Sequence, residues 1–308
     1  MRTLTSREKR VLVYFGVLCV ILGWDSVRRR WTGHAPHETE HYLIESSATL
    51  EQTREIGQAA EIVYGGYAEL MTQLQHAIHP HPKLKMKLFK DRDEFRRCNR
   101  AVGWAEAFYR RPYCYQYYSA DEANPYHWMM HEATHQLNAE AARFVLPQWL
   151  DEGLACYLST SRIVEDRLHL GEIDTNTYPV WWLDSFGFSG DLVLDKAAGR
   201  VIPLRAILSG DGGPDLNKHF NLYYLHWWSL VHFLMQCDNG SCRTGLGRLL
   251  GDVVTLEGFE KHIGRIDEIE PRWYAHLLEL RKNLAGQAHA ATGLRRPQPA
   301  VHGPLGEA

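Results

Sequence analysis

The first apolar feature of the chain is an unbroken run over residues 11–24, which follows a short basic stretch. This layout is typical of a secretory signal, but the run is short for a membrane span, about 21 Å of helix against a hydrocarbon core of roughly 30 Å. Because no convincing cleavage site follows it, we expect an uncleaved signal-anchor within residues 1–30 and a polar linker over 31–40. A cleaved signal peptide and a buried N-terminal helix are the alternatives.

Beyond residue 40, alternating apolar positions predict strands, and apolar positions spaced by three or four predict helices. Strands are expected over 41–47 and 83–90, and residues 110–119 are aromatic and extended. Long helices are expected over 49–77 and 220–236; the second contains histidines and suits a protein core better than a membrane. Further elements are expected as helices over 91–101, 204–208, 256–263 and 267–284, and as a hairpin or strand over 162–174.

Two helices in the middle of the chain have clear start signals. Asn124-Pro125 predicts a helix with Asn as N-cap and Pro at the first position, which runs to about residue 140. Pro147 predicts the start of the next helix, through about residue 158. The mixture of strands and helices predicts one α+β domain over residues 41–284, followed by a disordered tail over 285–308 that contains many Gly and Pro residues.

Composition restricts the class of protein. With 308 residues, 45% hydrophobic and 23% charged, the chain has the make-up of a globular protein and not of a fibrous, disordered or polytopic membrane protein. Its net charge of −3 provides no basic field that would attract nucleic acid. Its 17 histidines exceed what a chain of this size usually carries, which makes metal chemistry worth testing.

Six cysteines bear on the compartment. Cys237 and Cys242 bracket a turn-forming stretch, so a short disulfide between them is geometrically plausible. Cys19 lies inside the apolar run. Of the others, Cys98 and Cys114 are a possible second pair, which would leave Cys156 free. Sequence alone does not determine these pairings, but they favour an oxidising, extracytoplasmic location.

The strongest chemical pattern is an H-E-x-x-H motif that begins at His131 and ends at His135. Histidines four positions apart share one helix face, so both imidazoles can bind one zinc ion. Glu132 lies beside them, where its carboxylate can accept a proton from bound water. The alternative is an ordinary charged helix with two solvated histidines.

A second segment, WLDEGLA over residues 149–155, starts the next helix. A zinc site with two histidines needs a third protein ligand and an open position for water. Together the two segments resemble the gluzincin metallopeptidases, and most of all the peptidase-MA-like domains of bacteria. The resemblance implies a thermolysin-like zincin domain with a small mixed sheet, an edge strand over the active-site helix and a mainly helical C-terminal part. It also implies that Glu152 is the third zinc ligand and that Ala155 lets the two helices pack closely.

The resemblance assigns further residues on either side of the motif. Upstream, residues 103–119 would contain the edge strand that borders the cleft and pairs with an extended peptide; simple aromatic packing is the alternative for the tyrosines there. Downstream, the helix over 220–236 would present a hydrogen-bond donor to the oxyanion. We predict Tyr224 for this role, with Tyr223 and His226 as alternatives. His127, one turn before His131, is expected to support the ligands or face solvent, not to be a fourth ligand.

These features predict a zinc-dependent peptidase with Zn²⁺ as cofactor and Glu132 as general base. An endopeptidase is expected, because the G-x-M-E-N signature of the aminopeptidases is absent. The substrate would be a peptide or protein, and the N-terminal segment would attach the extracytoplasmic domain to a membrane. The alternatives are a catalytically silent zinc-binding or peptide-binding domain, and a membrane-tethered structural protein whose motif is incidental.

Overall fold

The computed structural model describes residues 31–102, 105–119 and 121–290. The predicted signal-anchor within residues 1–30 lies outside these residues, as do residues 291–308 of the predicted tail. In the part of the chain that is described, no helix combines the length and the apolar character needed to cross a membrane.

A small mixed sheet forms the N-terminal part of the fold. In chain order this part contains β1 (His37–Glu38), β2 (Tyr42–Ser46), helix α1 (Leu50–Gln73), β3 (Leu84–Phe89), helix α2 (Arg92–Cys98), β4 (Ala107–Arg110) and β5 (Tyr113–Tyr117). The strand order is β1–β2–β3–β5–β4, with β3 parallel to β2 and β5, and with β1 and β4 antiparallel at the two edges. As an edge strand, β4 keeps one row of main-chain donors and acceptors outside the ladder.

Helix α1 confirms the long helix predicted over 49–77. Thr49 caps it, because the Thr49 hydroxyl accepts the N–H of Gln52 while the Gln52 side chain accepts the N–H of Thr49. Two glycines at positions 65 and 66 do not interrupt the helix. An added Cβ on Gly66 would lie 2.5 Å from the Leu168 side chain. This glycine therefore lets α1 pack closely against the hairpin that contains Leu168.

The predicted zinc motif lies on α3 (His127–Gln136), and the segment after it forms α4 (Gln148–Ser159). Helix α3 begins later than predicted, because the Asn124 side-chain oxygen accepts the N–H of Tyr126 in a turn before the helix and not at its cap. At its other end α3 continues into a π-helical turn over Leu137–Ala141. Helix α4 begins where it was predicted.

The rest of the described chain is one hairpin and a set of helices. The predicted hairpin consists of β6 (Ser161–Val164) and β7 (Arg167–Ile173), which are antiparallel. The helices are α5 (Leu192–Ala197), α6 (Leu204–Ser209), α7 (Leu216–Gln236), α8 (Ser241–Gly251), α9 (Leu256–His262) and α10 (Ile266–Ala290), with 3₁₀ turns at Arg100–Val102, Val180–Trp182 and Cys237–Gly240. Helices α5 and α8 were not predicted, and α10 continues beyond the predicted boundary at residue 284. The fold is α+β, as predicted, with a mainly helical C-terminal part.

One of the two suggested disulfides is present. Cys237 and Cys242 are joined across the 3₁₀ turn, as the turn-forming stretch predicted. Cys114 keeps a free thiol, so the suggested pair with Cys98 is wrong. The reason is packing: Cys114 lies in the large hydrophobic core, whereas Cys98 packs against a separate cluster around Phe95. Cys156 also forms no disulfide.

Candidate metal centre

Close packing of α4 against both α3 and α7 brings the predicted site residues together. At Gly153 an added Cβ would lie 2.6 Å from Val231 Cγ2 and 2.9 Å from the Trp227 carbonyl oxygen, so a glycine is needed where α4 meets α7. Ala155, which the resemblance assigned to helix packing, is fully buried in α4. With α7 on one side, α4 presents Glu152 to the histidines of α3.

His131, His135 and Glu152 form the one group of three or more potential metal-ligating side chains found among the described residues. The two Nε2 atoms lie 3.2 Å apart, and Glu152 Oε2 lies 3.2 Å from His131 Nε2 and 3.5 Å from His135 Nε2. A tetrahedral zinc ion with bonds of about 2.0–2.1 Å separates its ligand atoms by about 3.3 Å. The three atoms therefore match one face of such a tetrahedron, and their N, N, O chemistry suits zinc.

The other ring nitrogens of the two histidines have different partners. His135 Nδ1 donates to Asp151 Oδ2 at 2.9 Å, and Asn138 Nδ2 donates to Asp151 Oδ1 at 2.7 Å. His131 Nδ1 instead faces Cys156 Sγ at 3.8 Å. Sequence reasoning missed these neighbours. The available signal was the acid directly before the predicted third ligand, since a metal-bound histidine usually donates its second N–H to a carboxylate, carbonyl or water.

The charges of the group shift its pKa values in opposite directions. Burial alone would lower the pKa of His135, but the carboxylates of Asp151 and Glu152 outweigh it and raise that pKa well above its usual value. Burial alone would raise the pKa of Glu152, but His135 and His131 lower it well below its usual range. A divalent cation between these ligands would replace the proton on His135 Nε2, because metal and proton compete for the same lone pair.

Glu132 lies beside the three candidate ligands and accepts a hydrogen bond from the edge strand. The N–H of Tyr109 in β4 donates to Glu132 Oε2 at 2.7 Å. Burial raises the pKa of the Glu132 carboxyl, although the neighbouring histidines lower it in part. A carboxylate whose pKa is closer to neutral is better matched to general acid–base work than a freely solvated one. The edge strand thus borders α3, as expected.

The structure separates the three candidates on α7. The Tyr224 ring faces the His131 ring, with centroids 6.3 Å apart and planes 29° apart. Tyr223 donates its hydroxyl to a loop carbonyl 2.9 Å away, and His226 packs against Trp273 in the core. Burial raises the pKa of Tyr224 well above its usual value, so its hydroxyl keeps its proton and can donate. Of the three, Tyr224 is the residue next to the candidate ligands.

His127 is not part of the ligand group. It is only 1% exposed, so the solvent-facing alternative is wrong. Its Nδ1 lies 2.8 Å from the carbonyl oxygen of Asn124, and its ring contacts Trp128 and Trp181. Burial lowers its pKa to about 4. His127 is therefore a neutral, packed histidine one turn before His131.

The tyrosines predicted near the cleft belong mostly to β5, the strand next to the edge. Their hydroxyls donate to carboxylates elsewhere in the fold: Tyr113 to Glu45, Tyr117 to Glu106 and Tyr118 to Glu55. Tyr115 stacks on Phe108 of the edge strand, with ring centroids 4.5 Å apart. Packing and hydrogen bonding within the fold account for all four.

No protein-family model matches the sequence, and no curated protein matches it significantly. The function is therefore inferred from the residues and geometry of this centre.

Proposed function

We propose that the protein is a zinc-dependent peptidase in which His131, His135 and Glu152 hold the metal. The observation that carries this proposal is the triangle of ligand atoms, with edges of 3.2, 3.2 and 3.5 Å. Structural zinc sites have four protein ligands, whereas catalytic sites have three and keep one position for water. A structural site also has no need for an unligated carboxylate such as Glu132 beside the ligands.

The zinc ion would lower the pKa of a bound water toward about 7 and polarise the scissile carbonyl group. Glu132, oriented by the Tyr109 N–H, would take a proton from the attacking water and deliver it to the leaving amine. Tyr224 would donate a hydrogen bond to the carbonyl oxygen as negative charge develops there. The unpaired side of β4 would hold the substrate backbone in an extended form, which favours an endopeptidase.

We further propose that the domain is a thermolysin-like zincin. Three features support this: the edge strand that borders α3, the motif on α3 itself, and the third ligand on the following helix. The same order of elements was expected from the resemblance to the gluzincins.

A membrane-anchored, extracytoplasmic location is also proposed. The apolar run over residues 11–24 and the disulfide between Cys237 and Cys242 support it. The full chain should fractionate with membranes and be released by detergent. A soluble mature chain that begins near residue 25 would show instead that the segment is a cleaved signal peptide.

The deciding experiment compares wild type with Glu132→Gln. Both proteins should purify with about one zinc ion per chain, since Glu132 is not a ligand. Only wild type should cleave a peptide library, because an amide cannot transfer the proton. Zinc in both proteins with cleavage by neither would favour the catalytically silent domain. Equal cleavage by both would contradict the role of Glu132.

A further inference from the structure

A chain of hydrogen bonds from three different elements ends on one of the candidate zinc ligands. The Tyr67 hydroxyl of α1 donates to Asn138 Oδ1 at 2.8 Å. Asn138 Nδ2, in the π-helical turn, donates to Asp151 Oδ1 at 2.7 Å, and the other carboxylate oxygen accepts from His135 Nδ1 at 2.9 Å. This hydrogen-bond network does not include the proposed general base or the other two candidate ligands.

The first two members are deeply buried, with 0% of Tyr67 and 2% of Asn138 exposed. An unpaired donor or acceptor in such a place costs free energy, whereas a network with every member satisfied holds its geometry firmly. The π-helical turn begins directly after α3 and places Asn138 three residues beyond His135. Both side chains therefore reach the same carboxylate on α4.

The direction of the bonds determines which nitrogen of His135 is available to a metal. A carboxylate only accepts, so Asp151 keeps a proton on Nδ1 of the imidazole. Nε2, the atom 3.5 Å from Glu152 Oε2, is then the one that offers its lone pair. Among the described residues His131 has no equivalent support, since its Nδ1 faces a thiol sulfur, a weak acceptor, at 3.8 Å.

We infer that Asp151, Asn138 and Tyr67 are positioning residues that set the zinc affinity of the site through His135. The inference rests on the proposed zinc site, but not on its catalytic role. The two histidines of the motif thereby contribute unequally: His135 is oriented by a buried charged network, and His131 by a weak contact with Cys156.

The decisive substitution is Asp151→Asn, which changes the hydrogen-bonding pattern with little change in volume. An amide at position 151 has one accepting end and one donating end, so it cannot accept from both His135 and Asn138. Either one of those donors loses its partner, or the Asn138 amide turns over and the buried Tyr67 hydroxyl loses its acceptor. In both cases the network is incomplete and the negative charge beside His135 is gone, so zinc affinity should fall by about 10- to 100-fold. Asn138→Asp alone should also weaken zinc binding, because it places a second carboxylate against Asp151.

Combining the two substitutions restores a complete set of hydrogen bonds, with the carboxylate and the amide exchanged between positions 138 and 151. The carboxylate at position 138 can accept both from Tyr67 and from the amide at position 151, whose oxygen can then accept from His135. The double variant should therefore bind zinc more tightly than either single variant. If Asp151 only stabilises the fold, the single variants should lose melting temperature while the folded protein binds zinc as tightly as wild type.

Zinc affinity is measured by competition with a chelator, and the absorption spectrum of the Co²⁺-substituted protein reports the ligand geometry. Thermal unfolding in excess chelator shows whether each variant is folded. Cys156→Ala is the matched control, because it changes the neighbour of His131 and should alter affinity much less than Asp151→Asn. Unchanged affinity in Asp151→Asn, or a double variant no better than the single ones, overturns the inference. A wild type that fails to bind zinc overturns it together with the proposed function, whereas a wild type that binds zinc but cleaves nothing contradicts only the proposed catalysis.

Discussion

The molecule buries histidines on two helices and gives them opposite chemistry. The two motif histidines of α3 face the carboxylates of α4, whereas His226 and His232 of α7 face α10. His226 packs against Trp273, with ring centroids 5.2 Å apart, and His232 Nδ1 lies 2.9 Å from His276 Nε2. No carboxylate bonds to either α7 histidine among the contacts of the described residues.

The difference shows that the partner, not burial, decides what a helical histidine does. Burial lowers the pKa of both His226 and His232 to about 4, so both are neutral packing residues near pH 7. Burial acts on His135 in the same direction, but two carboxylates reverse the shift. The carboxylates that outweigh desolvation for a proton on His135 would stabilise a divalent cation at the same imidazole for the same reason.

The largest effect is expected from removing Glu152, the α4 carboxylate nearest to both motif histidines. Glu152→Ala should lose both zinc and hydrolysis, because two imidazoles alone leave the metal short of one protein ligand. His127→Ala, on the same helix as the motif, should retain zinc. Metal content after gel filtration checks both variants, and full zinc content in Glu152→Ala would contradict the ligand assignment.

The next effect concerns the tyrosine of α7 that faces the ligands. Tyr224→Phe should lower kcat by about 10²–10³, or roughly 2.7–4 kcal/mol, and change KM little, since the hydroxyl acts on the transition state. Zinc content and melting temperature should stay close to wild type. Tyr223→Phe is the matched control, because the Tyr223 hydroxyl donates to Pro214 and not toward the ligands. Wild-type turnover in Tyr224→Phe with loss in Tyr223→Phe would reverse the assignment.

What the sequence predicts well is local. The motif places two candidate ligands one helical turn apart, and Pro147 marks the start of α4, so both helices of the candidate centre are expected from neighbouring residues. Glu152 lies 17 positions after His135, and no local rule brings the two together. It was assigned by resemblance, and the packing of α4 at Gly153 is what brings it into contact.

What the sequence does not predict depends on distant partners. Tyr67 and Asn138 are 71 positions apart, so no spacing rule relates them. Helix α8 was missed because its glycines are typical of loops, yet the fold uses them for close packing: an added Cβ on Gly247 would collide with the Leu74 carbonyl oxygen. The turn before α3 shows the opposite error, in which a local signal was overinterpreted. Asn124 was predicted to cap the helix, but its side-chain oxygen accepts the N–H of Tyr126 in the preceding turn.

The third prediction extends the comparison to pH, with a chelator present so that metal release does not contribute. His127, His226 and His232 have pKa values of about 4 in the folded protein against 6.5 as the usual value. The unfolded chain therefore binds protons first, and the free energy of unfolding should fall as the pH is lowered from 6.5 toward 4.

Glu122 opposes this trend. Burial raises its pKa to about 7, so the folded protein keeps a proton there that the unfolded chain releases, and this contribution to stability is lost as the pH rises. Glu132 and His135, whose pKa values are also raised in the folded protein, oppose the trend in the same way. The three histidines should outweigh these groups, so urea unfolding should show lower stability at pH 5 than at pH 7. A profile that is flat or rises toward acid pH would contradict the neutral state of these histidines.

The smallest effect on stability is expected from replacing one of these histidines, His226. In the part of the chain that is described, His226 Nε2 is buried without a hydrogen-bond partner, and Nδ1 donates to the Leu222 carbonyl of the same helix. His226→Leu replaces an unpaired buried acceptor with an apolar group of similar size. The free energy of unfolding at pH 7 should therefore change by less than about 1 kcal/mol.

At pH 5 the same substitution should stabilise the protein relative to its effect at pH 7. Wild type loses stability there because the unfolded chain protonates His226 while the folded protein does not, and a pKa difference between 6.5 and about 4 amounts to about 2 kcal/mol at this pH. His226→Leu removes that loss, so the variant should gain by about this amount relative to wild type on going from pH 7 to pH 5. Leu225→Ala, a fully buried neighbour on the same helix, is the control, since a cavity costs the same at both pH values. If His226→Leu shows the same difference from wild type at pH 7 and pH 5, the histidine is not held neutral, and the contrast between the α3 and α7 histidines fails at that residue.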